Sequence, residues 1–212
     1  MKNLYIIGAG GFGREVYSWI SGTKDSDKPW AFKGFIDDDL DALKVFEYDI
    51  KVVSSLVDFN VKPNDIFICA IGNPKTKQIC VDIIKSKGAI DFLNVIHPSS
   101  IVAKNVKLGE GVILCPLTII NSDAVLGNFV TVNNHSNVGH NSVVGDWSQI
   151  SGYCDITGGV VIGEYVFFGS SSTILPNLKI GNNSIIGAGS VVVRNVDSNS
   201  SVFGNPAKKI NF

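Results

Sequence analysis

The spacing of hydrophobic residues along the chain changes near residue 96. Before that point, the apolar runs LYIIGAG (residues 4–10) and DIFICAIG (65–72) alternate with two stretches of helical spacing, GREVYSWISG (13–22) and KTKQICVDIIKSKG (75–88). The runs predict buried strands, and strands that alternate with helices are typical of a parallel sheet covered by helices. Residues 1–96 are therefore predicted to form a small α/β domain, with a surface loop over SGTKDSDKPW (21–30).

From Ile96 onward, an apolar residue occupies every sixth position. This column consists of Ile96, Val102, Leu108, Leu114, Ile120, Leu126, Val132, Val138, Val144, Ile150, Ile156, Ile162, Phe168, Ile174, Ile180, Ile186 and Val192. A second column, four positions later, holds small or β-branched residues: Ser136, Ser142, Ser148, Cys154, Val160, Val166 and Ser172. Glycine often follows the first column directly: Gly109, Gly127, Gly139, Gly145, Gly163, Gly169, Gly181 and Gly187. A period of six is too short for a repeat that contains a helix, but it suits a short strand plus a corner.

Three such hexads make one triangular coil of about 18 residues, so residues 97–212 are predicted to form an all-β parallel helix. The aliphatic column would fill its interior, and the glycines would relieve backbone strain at its corners. The sequence thus predicts two domains, an α/β domain over residues 1–96 and a β-helix domain with a C-terminal tail. The boundary between them is expected near the sequence HPSS.

The composition argues against nucleic acid and membranes as partners. Of the 212 residues, 45% are hydrophobic and 17% are charged, the net charge is −1, and there is no run of five like charges. A basic surface for nucleic acid or an anionic membrane is therefore not expected. No apolar run approaches the roughly 20 residues that span a bilayer, and the N-terminal run is too short for a signal peptide, which favours a cytoplasmic protein.

The cysteines and histidines do not suggest a metal centre. Cys69, Cys80, Cys115 and Cys154 form no CxxC pair and lie in apolar contexts, which is typical of buried free thiols. The three histidines have no carboxylate or cysteine at ligand spacing, so no metal is expected.

A glycine-rich motif follows the first predicted strand. Gly8, Gly10 and Gly13 form GxGxxG at a strand-to-helix junction, the fingerprint of Rossmann-like nucleotide-binding domains. Glycines let phosphates approach the backbone, and a helix N-terminus favours their negative charge. Asp37 and Asp38 follow at a distance that suits a ribose or base, while a domain of this length is too short for a full dinucleotide fold. The motif favours a mononucleotide, although a glycine turn that binds no ligand remains open.

His140 is the candidate for proton transfer. It lies in the hexad VGHNSV, outside the inward-pointing columns, so it is expected at the surface or against another subunit. A surface histidine without a task is the alternative. His135 is also predicted to point outward and is near enough in sequence to share a site, whereas His97 suits a turn or an interface.

The hexad columns resemble the hexapeptide-repeat left-handed β-helix acyltransferases. Residues 138–150 and the tail VFGNPAKKI resemble the two-domain sugar branch of that family, which contains sialic acid O-acetyltransferases and nucleotide-sugar N-acetyltransferases of the UDP-N-acetylbacillosamine type. Its active-site sequence is matched at His140, Gly145 and Ile150, and the GxPAK ending is matched by the tail. The resemblance implies a homotrimer with acetyl-CoA as co-substrate, and His140 as general base.

The resemblance also implies a role for further residues. The nucleotide-sugar would be held by the glycine loop, the aspartate pair and the AIGN sequence, which here are Gly10, Gly11, Phe12, Asp37, Asp38, Gly72 and Asn73. The CoA groove would be lined by Gln149, Gly158, Ser170 and Ala188. Two residues depart from the family pattern: Asn141 replaces an acidic neighbour of the histidine, and Gln149 replaces a second histidine. Asn141 cannot supply negative charge, so either another group helps or the base is weaker.

The sequence therefore predicts an acetyl-CoA-dependent N-acetyltransferase for a nucleotide-linked amino sugar, which suits polysaccharide biosynthesis. Three alternatives stay open at this point. One is O-acetylation of sialic acid or a related sugar, and another is a non-catalytic β-helix binding protein, which the exchange at Asn141 would permit. The last, an NAD-dependent oxidoreductase, depends on the glycine loop alone and fits poorly with the hexads.

Overall fold

The computed structural model describes residues 1–22 and 29–210, and the chain divides into two compact units at Leu93/Asn94. Most of the predicted loop at 21–30 lies outside the described residues. The domain boundary expected after residue 96 stays a prediction; in the structure, Val95 and Ile96 already pair with a strand of the second unit.

The first unit is a parallel sheet with two helices, as predicted. Its elements are β1 (Lys2–Ile7), α1 (Gly11–Ser21), β2 (Trp30–Ile36), β3 (Val52–Ser54), β4 (Asp65–Cys69) and α2 (Pro74–Ser86). The strand order is β3-β2-β1-β4, and every pairing is parallel. The order of connection reverses between β1 and β4. In open parallel sheets, such a reversal opens a crevice beyond the carboxyl ends of the strands, and ligands bind there.

Local sequence explains where these elements begin and end. All five residues of β4 are buried, which accounts for its continuous apolar sequence. The N-cap of α2 is Asn73, whose side chain accepts a hydrogen bond from the backbone N–H of Thr76, and Pro74 occupies the first turn. After α2, Gly88 adopts φ +100°, a conformation that favours glycine and stops the helix.

The second unit is a parallel β-helix, and the predicted fold class is confirmed. Its strands are β5 (Val95–Ile96), β6 (Ile101–Val102), β7 (Lys107–Leu108), β8 (Ile113–Leu114), β9 (Ile119–Ile120), β10 (Val125–Leu126), β11 (Thr131–Val132), β12 (Asn137–Val138), β13 (Val143–Val144), β14 (Gln149–Ile150), β15 (Asp155–Ile156), β16 (Val161–Ile162), β17 (Phe167–Phe168), β18 (Thr173–Ile174), β19 (Lys179–Ile180), β20 (Ile185–Ile186), β21 (Val191–Val192), β22 (Ser201–Phe203) and β23 (Lys208–Ile210).

These strands form three sheets, which we call I, II and III. Sheet I contains β5, β8, β11, β14, β17, β20, β22 and β23; sheet II contains β6, β9, β12, β15, β18 and β21; sheet III contains β7, β10, β13, β16 and β19. From β5 to β21, successive strands pass from sheet I to II to III and back, so the same three corners recur along these coils. We call them corners I/II, II/III and III/I.

Both predicted columns lie inside the coils. The aliphatic residues from Leu114 to Val192 are buried, while Ile96 and Val102 in the first coil are 46% and 38% exposed. The small column is also buried and forms hydrogen bonds between coils. The Ser142 hydroxyl donates to the Thr157 carbonyl and accepts from the Val160 N–H, 18 residues later. These polar residues therefore satisfy backbone groups at the corners.

The expected role of the corner glycines is wrong. The glycines that follow the aliphatic column do not have positive φ angles; the left-handed corner position is filled mostly by other residues, including Asn105, Leu117, Asp123, Phe129, His135, Asn141, Trp147, Tyr153 and Tyr165. The glycines are needed for space instead. A Cβ on Gly139 would lie 2.4 Å from the carbonyl carbon of Thr157, and one on Gly145 would lie 2.5 Å from the carbonyl carbon of Gly163. Neighbouring coils approach too closely there for any side chain.

Aromatic residues stack along corner III/I. The Trp147 ring lies parallel to Phe129, with 4.4 Å between ring centroids, and nearly parallel to Tyr165 at 6.3 Å. Trp147 and Phe167 are both half-buried. In the described part of the chain, no helix has the length and apolar character needed to cross a membrane.

Candidate functional site

His140 lies at corner II/III, exposed, as predicted, and directly before left-handed Asn141. Its Nδ1 atom is 2.9 Å from Oδ1 of Asn141. Because an amide oxygen only accepts hydrogen bonds, this contact places the proton of a neutral imidazole on Nδ1 and leaves the Nε2 lone pair available. Asn141 thus fixes the ring and its tautomer without contributing charge.

The Nε2 edge of His140 faces Gly158 in the next coil. A Cβ built on Gly158 would lie 2.5 Å from Nε2 and 2.7 Å from Cε1 of the imidazole. Since a Cα–Cβ bond is about 1.5 Å long, Nε2 lies within about 4 Å of the Gly158 α-carbon. The imidazole therefore occupies the space that a side chain at residue 158 would fill.

Gly158 also offers a backbone donor next to the ring. Among the described residues, its N–H has no hydrogen-bond acceptor. At corner III/I, the N–H of Glu164, which holds the same place in its hexad, donates to the side chain of Asn182 in the next coil. The residue at the corresponding place after Gly158 is Pro176, which has no side-chain acceptor. Corner II/III thus combines a proton acceptor with an unpaired backbone N–H.

The other histidines lie elsewhere. His135 is at corner I/II and stacks on Tyr153, with 4.6 Å between ring centroids. His135 and His140 flank β12 at opposite ends, so the expectation that they share one site is wrong for a single chain. His97 lies in the turn before β6, where its Nδ1 is 2.8 Å from the Ser99 hydroxyl.

The four residues assigned to the CoA groove do not share one corner. Gly158 is beside His140 at corner II/III, while Ser170 and Ala188 are exposed at corner I/II in adjacent coils. Gln149 begins β14 in sheet I and is only 4% exposed, so its side chain forms no open surface here. Within one β-helix, the width of sheet II therefore separates Gly158 from Ser170 and Ala188.

A cavity of about 420 Å³ lies at the carboxyl edge of the first unit's sheet. Six of the residues predicted for nucleotide-sugar binding line it: Gly10, Gly11, Phe12, Asp37, Asp38 and Gly72. The seventh, Asn73, is not among its lining residues and instead caps α2. The cavity lies at the reversal between β1 and β4, the position at which parallel sheets bind ligands.

The glycines around this cavity have two different roles. Gly8 has φ +97°, and a Cβ on Gly13 would lie 1.9 Å from the Gly8 carbonyl oxygen, so both are required by the fold. In contrast, a Cβ on Gly10 or Gly72 would meet no atom within 4 Å. Neither has a positive φ. Nothing in the described chain requires glycine at these two positions, and their missing side chains leave open space in the cavity.

The aspartate pair connects the loops around the cavity. Asp37 Oδ2 accepts a hydrogen bond of 2.7 Å from the Ala9 N–H, which joins the glycine loop to the end of β2. Asp38 Oδ1 accepts from the Leu56 N–H at 3.0 Å, which joins the same strand end to the segment after β3. Each carboxylate oxygen can still accept a further hydrogen bond.

Sequence reasoning missed several other lining residues, among them Leu56, Thr76 and Cys80. Thr76 and Cys80 are four residues apart in α2, and this spacing on a helix that follows the AIGN sequence could have indicated them. Leu56 has no local signal, because only the sheet order brings it here. Burial, followed by the nearby charges of Asp38 and Asp37, raises the pKa of the Cys80 thiol to about 11, so the thiol is neutral at pH 7.

All four cysteines are buried. Within residues 1–22 and 29–210, no group of three or more histidine, cysteine, aspartate or glutamate side chains is arranged to hold a metal ion. The site at corner II/III therefore offers an imidazole and a backbone N–H donor. The site in the first unit offers an open cavity at the N-terminus of a helix.

Two family models match the chain, one in each unit. Residues 3–84 match the PglD N-terminal domain, and residues 159–194 match the bacterial transferase hexapeptide repeats. A curated relative, UDP-N-acetylbacillosamine N-acetyltransferase of Bacillus subtilis, is 29% identical over 121 residues. That alignment covers 54% of this chain, and it spans about half, 51%, of the curated relative.

Solved structures resemble the whole chain. WeeI from Acinetobacter baumannii is 28% identical, with a TM-score of 0.85 and coverage of 99% of this chain and 100% of that one. PerB from Caulobacter crescentus, in complex with CoA and GDP-perosamine, is also 28% identical, with a TM-score of 0.85 and coverage of 100% and 98%. The matches in both units and these full-length likenesses agree with the architecture: the first unit is similar to the PglD N-terminal domain, and the second is similar to the bacterial hexapeptide-repeat transferases.

Proposed function

We propose that this chain transfers an acetyl group from acetyl-CoA to the amino group of a nucleotide-linked amino sugar. Residues 1–96 would bind the nucleotide-sugar, and residues 97–212 would carry out the transfer. The reaction suits a cytoplasmic step of polysaccharide biosynthesis. The observation that carries the proposal is the arrangement at corner II/III, where Asn141 holds Nδ1 of His140 and Nε2 faces the backbone of Gly158.

The cavity of the first unit is suited to a nucleoside diphosphate. Helix α1 begins at Gly11, and its N-cap, Gly10, provides no side-chain hydrogen bond, so the first N–H groups and the helix dipole are available to phosphate oxygens. The open space at Gly10 and Gly72 lets a ligand approach the backbone closely. Gly11, Phe12, Asp37 and Asp38 line the same space, and the remaining acceptor capacity of the two carboxylates suits ribose hydroxyl or base N–H groups. Asn73 contributes by holding the start of α2.

The chemistry at His140 needs no covalent intermediate. The acceptor nitrogen attacks the thioester carbonyl of acetyl-CoA, and Nε2 of His140 removes a proton from that nitrogen. Collapse of the tetrahedral adduct then breaks the C–S bond, and the proton passes from Nε2 to the sulfur of the departing CoA. General-base catalysis of this kind contributes roughly 10² to 10⁴ in rate. The unpaired N–H of Gly158 is suited to stabilise the oxyanion. Asn141 acts as a positioning residue.

A CoA groove that includes Gly158, Ser170 and Ala188 requires a second chain. These residues lie on two corners of one prism, so a single cleft contains both only when corner II/III of one protomer faces corner I/II of the next. Head-to-tail contacts of this kind can close into a ring. In a homotrimer, corner II/III of each triangular β-helix can face corner I/II of the next. Gln149 would contribute from sheet I of the same assembly.

The acceptor class is supported by the relatives. The Bacillus subtilis relative is named an N-acetyltransferase of a UDP-linked amino sugar, and the PerB structure contains CoA together with GDP-perosamine. These names favour a nitrogen acceptor on a nucleotide-sugar over a hydroxyl of free sialic acid.

The test is release of free CoA from acetyl-CoA in the presence of UDP-, GDP- and dTDP-linked amino sugars, with sialic acid as the comparison. We expect turnover with one nucleotide amino sugar, which should also raise the melting temperature, because a ligand that binds only the folded state stabilises it. Turnover with sialic acid and with none of the nucleotide-sugars would contradict the proposal. Thermal stabilisation by the nucleotide-sugars without any CoA release would indicate a binding protein.

A further inference from the structure

We infer that Gly158 is a positioning residue for His140: its missing side chain provides the space in which the imidazole is held in its reactive orientation. This inference depends on the proposed function, because it concerns the orientation of the proposed base. It differs from a role in lining the CoA groove, because the close contact is with His140 itself.

The first step of the argument is the contact distance. A Cβ on residue 158 would lie 2.5 Å from Nε2, 2.7 Å from Cε1 and 3.1 Å from Cδ2 of His140. Carbon and nitrogen atoms that are not bonded to each other normally stay at least about 3.5 Å apart. Any L-amino acid other than glycine would therefore displace the ring, starting from the edge that carries the catalytic nitrogen.

The second step excludes a requirement from the backbone. Gly158 does not have a positive φ, whereas its neighbour Gly159 does, at +71°. Alanine can adopt the conformation of Gly158 without backbone strain. The contacts of a Cβ on Gly158 are with the His140 side chain, unlike those on Gly139 and Gly145, which are with backbone atoms of the next coil. The fold can therefore accommodate alanine at residue 158 if the imidazole moves.

The third step concerns the two ends of the ring. Asn141 Oδ1 holds Nδ1, and Gly158 leaves room for the opposite edge, so one orientation satisfies both contacts. With alanine at residue 158, rotation of the ring away from the Cβ breaks or lengthens the 2.9 Å contact with Asn141. The contact with Asn141 then no longer fixes the tautomer of His140 or the direction of its Nε2 lone pair.

Gly152 provides a matched control. It holds the same place in its hexad as Gly158, but at corner I/II, and it too has a φ outside the left-handed region. A Cβ on Gly152 would lie 2.9 Å from Oδ1 of Asn134, a side chain without a proposed role. Gly152→Ala thus introduces the same methyl group against a side-chain tip without touching the His140 ring of the same chain.

The experiment compares Gly158→Ala, Gly152→Ala, His140→Ala and the double variant Gly158→Ala/His140→Ala. Imidazole ¹H–¹⁵N correlation spectra report the tautomer directly, and His140→Ala assigns the signals of residue 140 among the three histidines. We expect Gly158→Ala to shift the His140 ring nitrogens and to lower kcat by about tenfold or more, with a smaller change in the Kd of CoA. Gly152→Ala should do neither.

The double variant separates this inference from the proposed function. If Gly158 acts through His140, then Gly158→Ala should cause no further loss of kcat in the His140→Ala background. Unchanged His140 signals in Gly158→Ala, or an equal loss of kcat in both backgrounds, would overturn the inference while leaving the base role of His140 intact. Full turnover by His140→Ala would instead overturn the proposed base, and with it the need for positioning.

Discussion

At the scale of single residues, the contact between His140 and Asn141 defines the chemistry of the second unit. The Asn141 carbonyl oxygen supplies the hydrogen bond that an acidic neighbour would otherwise make, at 2.9 Å from Nδ1. It orients the ring and selects the tautomer, but a neutral amide does not stabilise the imidazolium as a carboxylate does. An asparagine in place of an acid therefore keeps the geometry of the proposed base and changes its electrostatics.

The variant Asn141→Asp tests whether Asn141 orients His140 without contributing charge. Aspartate tolerates the left-handed conformation of residue 141, so the fold should be unaffected. The new negative charge favours the protonated imidazole, and the base is active only when neutral, so the acid limb of the kcat/KM profile should move to higher pH. Activity on the alkaline side should remain intact. A profile measured from pH 5 to pH 9 with an acid limb at lower pH than the wild type would contradict the assignment of His140 as the base.

At the scale of elements, the junction between β1 and α1 shows why one glycine motif contains two kinds of glycine. Gly13 lets the first turn of α1 approach the Gly8 carbonyl, which fixes the helix on the sheet. Gly10 meets no neighbouring atom, so it contributes open space where the helix begins. The motif thus combines a glycine required for packing with a glycine that leaves space for the proposed ligand.

Gly13→Ala and Gly10→Ala should therefore behave differently. The added methyl at residue 13 would lie 1.9 Å from a backbone oxygen and should lower the melting temperature by roughly 5 °C or more. The methyl at residue 10 should leave the melting temperature nearly unchanged but weaken nucleotide-sugar binding by about tenfold or more. Thermal melts and calorimetric titrations check both. Equal binding by Gly10→Ala and the wild type would show that the ligand does not approach this backbone.

Most elements were predictable from the sequence, because each depends on local periodicity. The hexad column specifies the β-helix without any knowledge of distant contacts, and the alternation of strands and helices specifies the parallel sheet. Leu56 in the cavity was not predictable, because only the order β3-β2-β1-β4 brings its segment there. The role of the corner glycines was misjudged for a related reason, since it depends on the spacing between coils rather than on the φ angle of one residue.

At the scale of the whole molecule, the proposed CoA groove explains why the chain should form a trimer. Exposed apolar residues at corner I/II support this: Leu117 and Tyr153 are 50% and 60% exposed. Trp147, by contrast, stacks on Phe129 and Tyr165 within the chain and does not support a partner surface. The stronger argument is the separation of His140 from Ser170 and Ala188 on different corners.

Subunit complementation tests the shared site. His140→Ala and Ala188→Trp should each be inactive alone, the second because an exposed tryptophan at residue 188 would fill the groove. When the two variants are co-expressed, sites that combine the intact His140 of one chain with the intact groove of its neighbour should recover about one quarter of wild-type turnover. Light scattering on the same samples should give the mass of a trimer. A monomer at micromolar concentration, or no recovery in mixed trimers, would contradict the assembly.

The most direct test of the central claim is the kcat of His140→Ala with acetyl-CoA and the nucleotide amino sugar that the wild-type protein accepts. His140 is exposed and outside the packed columns, so its removal should leave the melting temperature unchanged. We predict a kcat lower by about 10² or more, with little change in the KM for either substrate, because the imidazole acts on the proton in the transition state. A folded His140→Ala variant with wild-type turnover would show that His140 is only a surface residue and that the proposed mechanism is wrong.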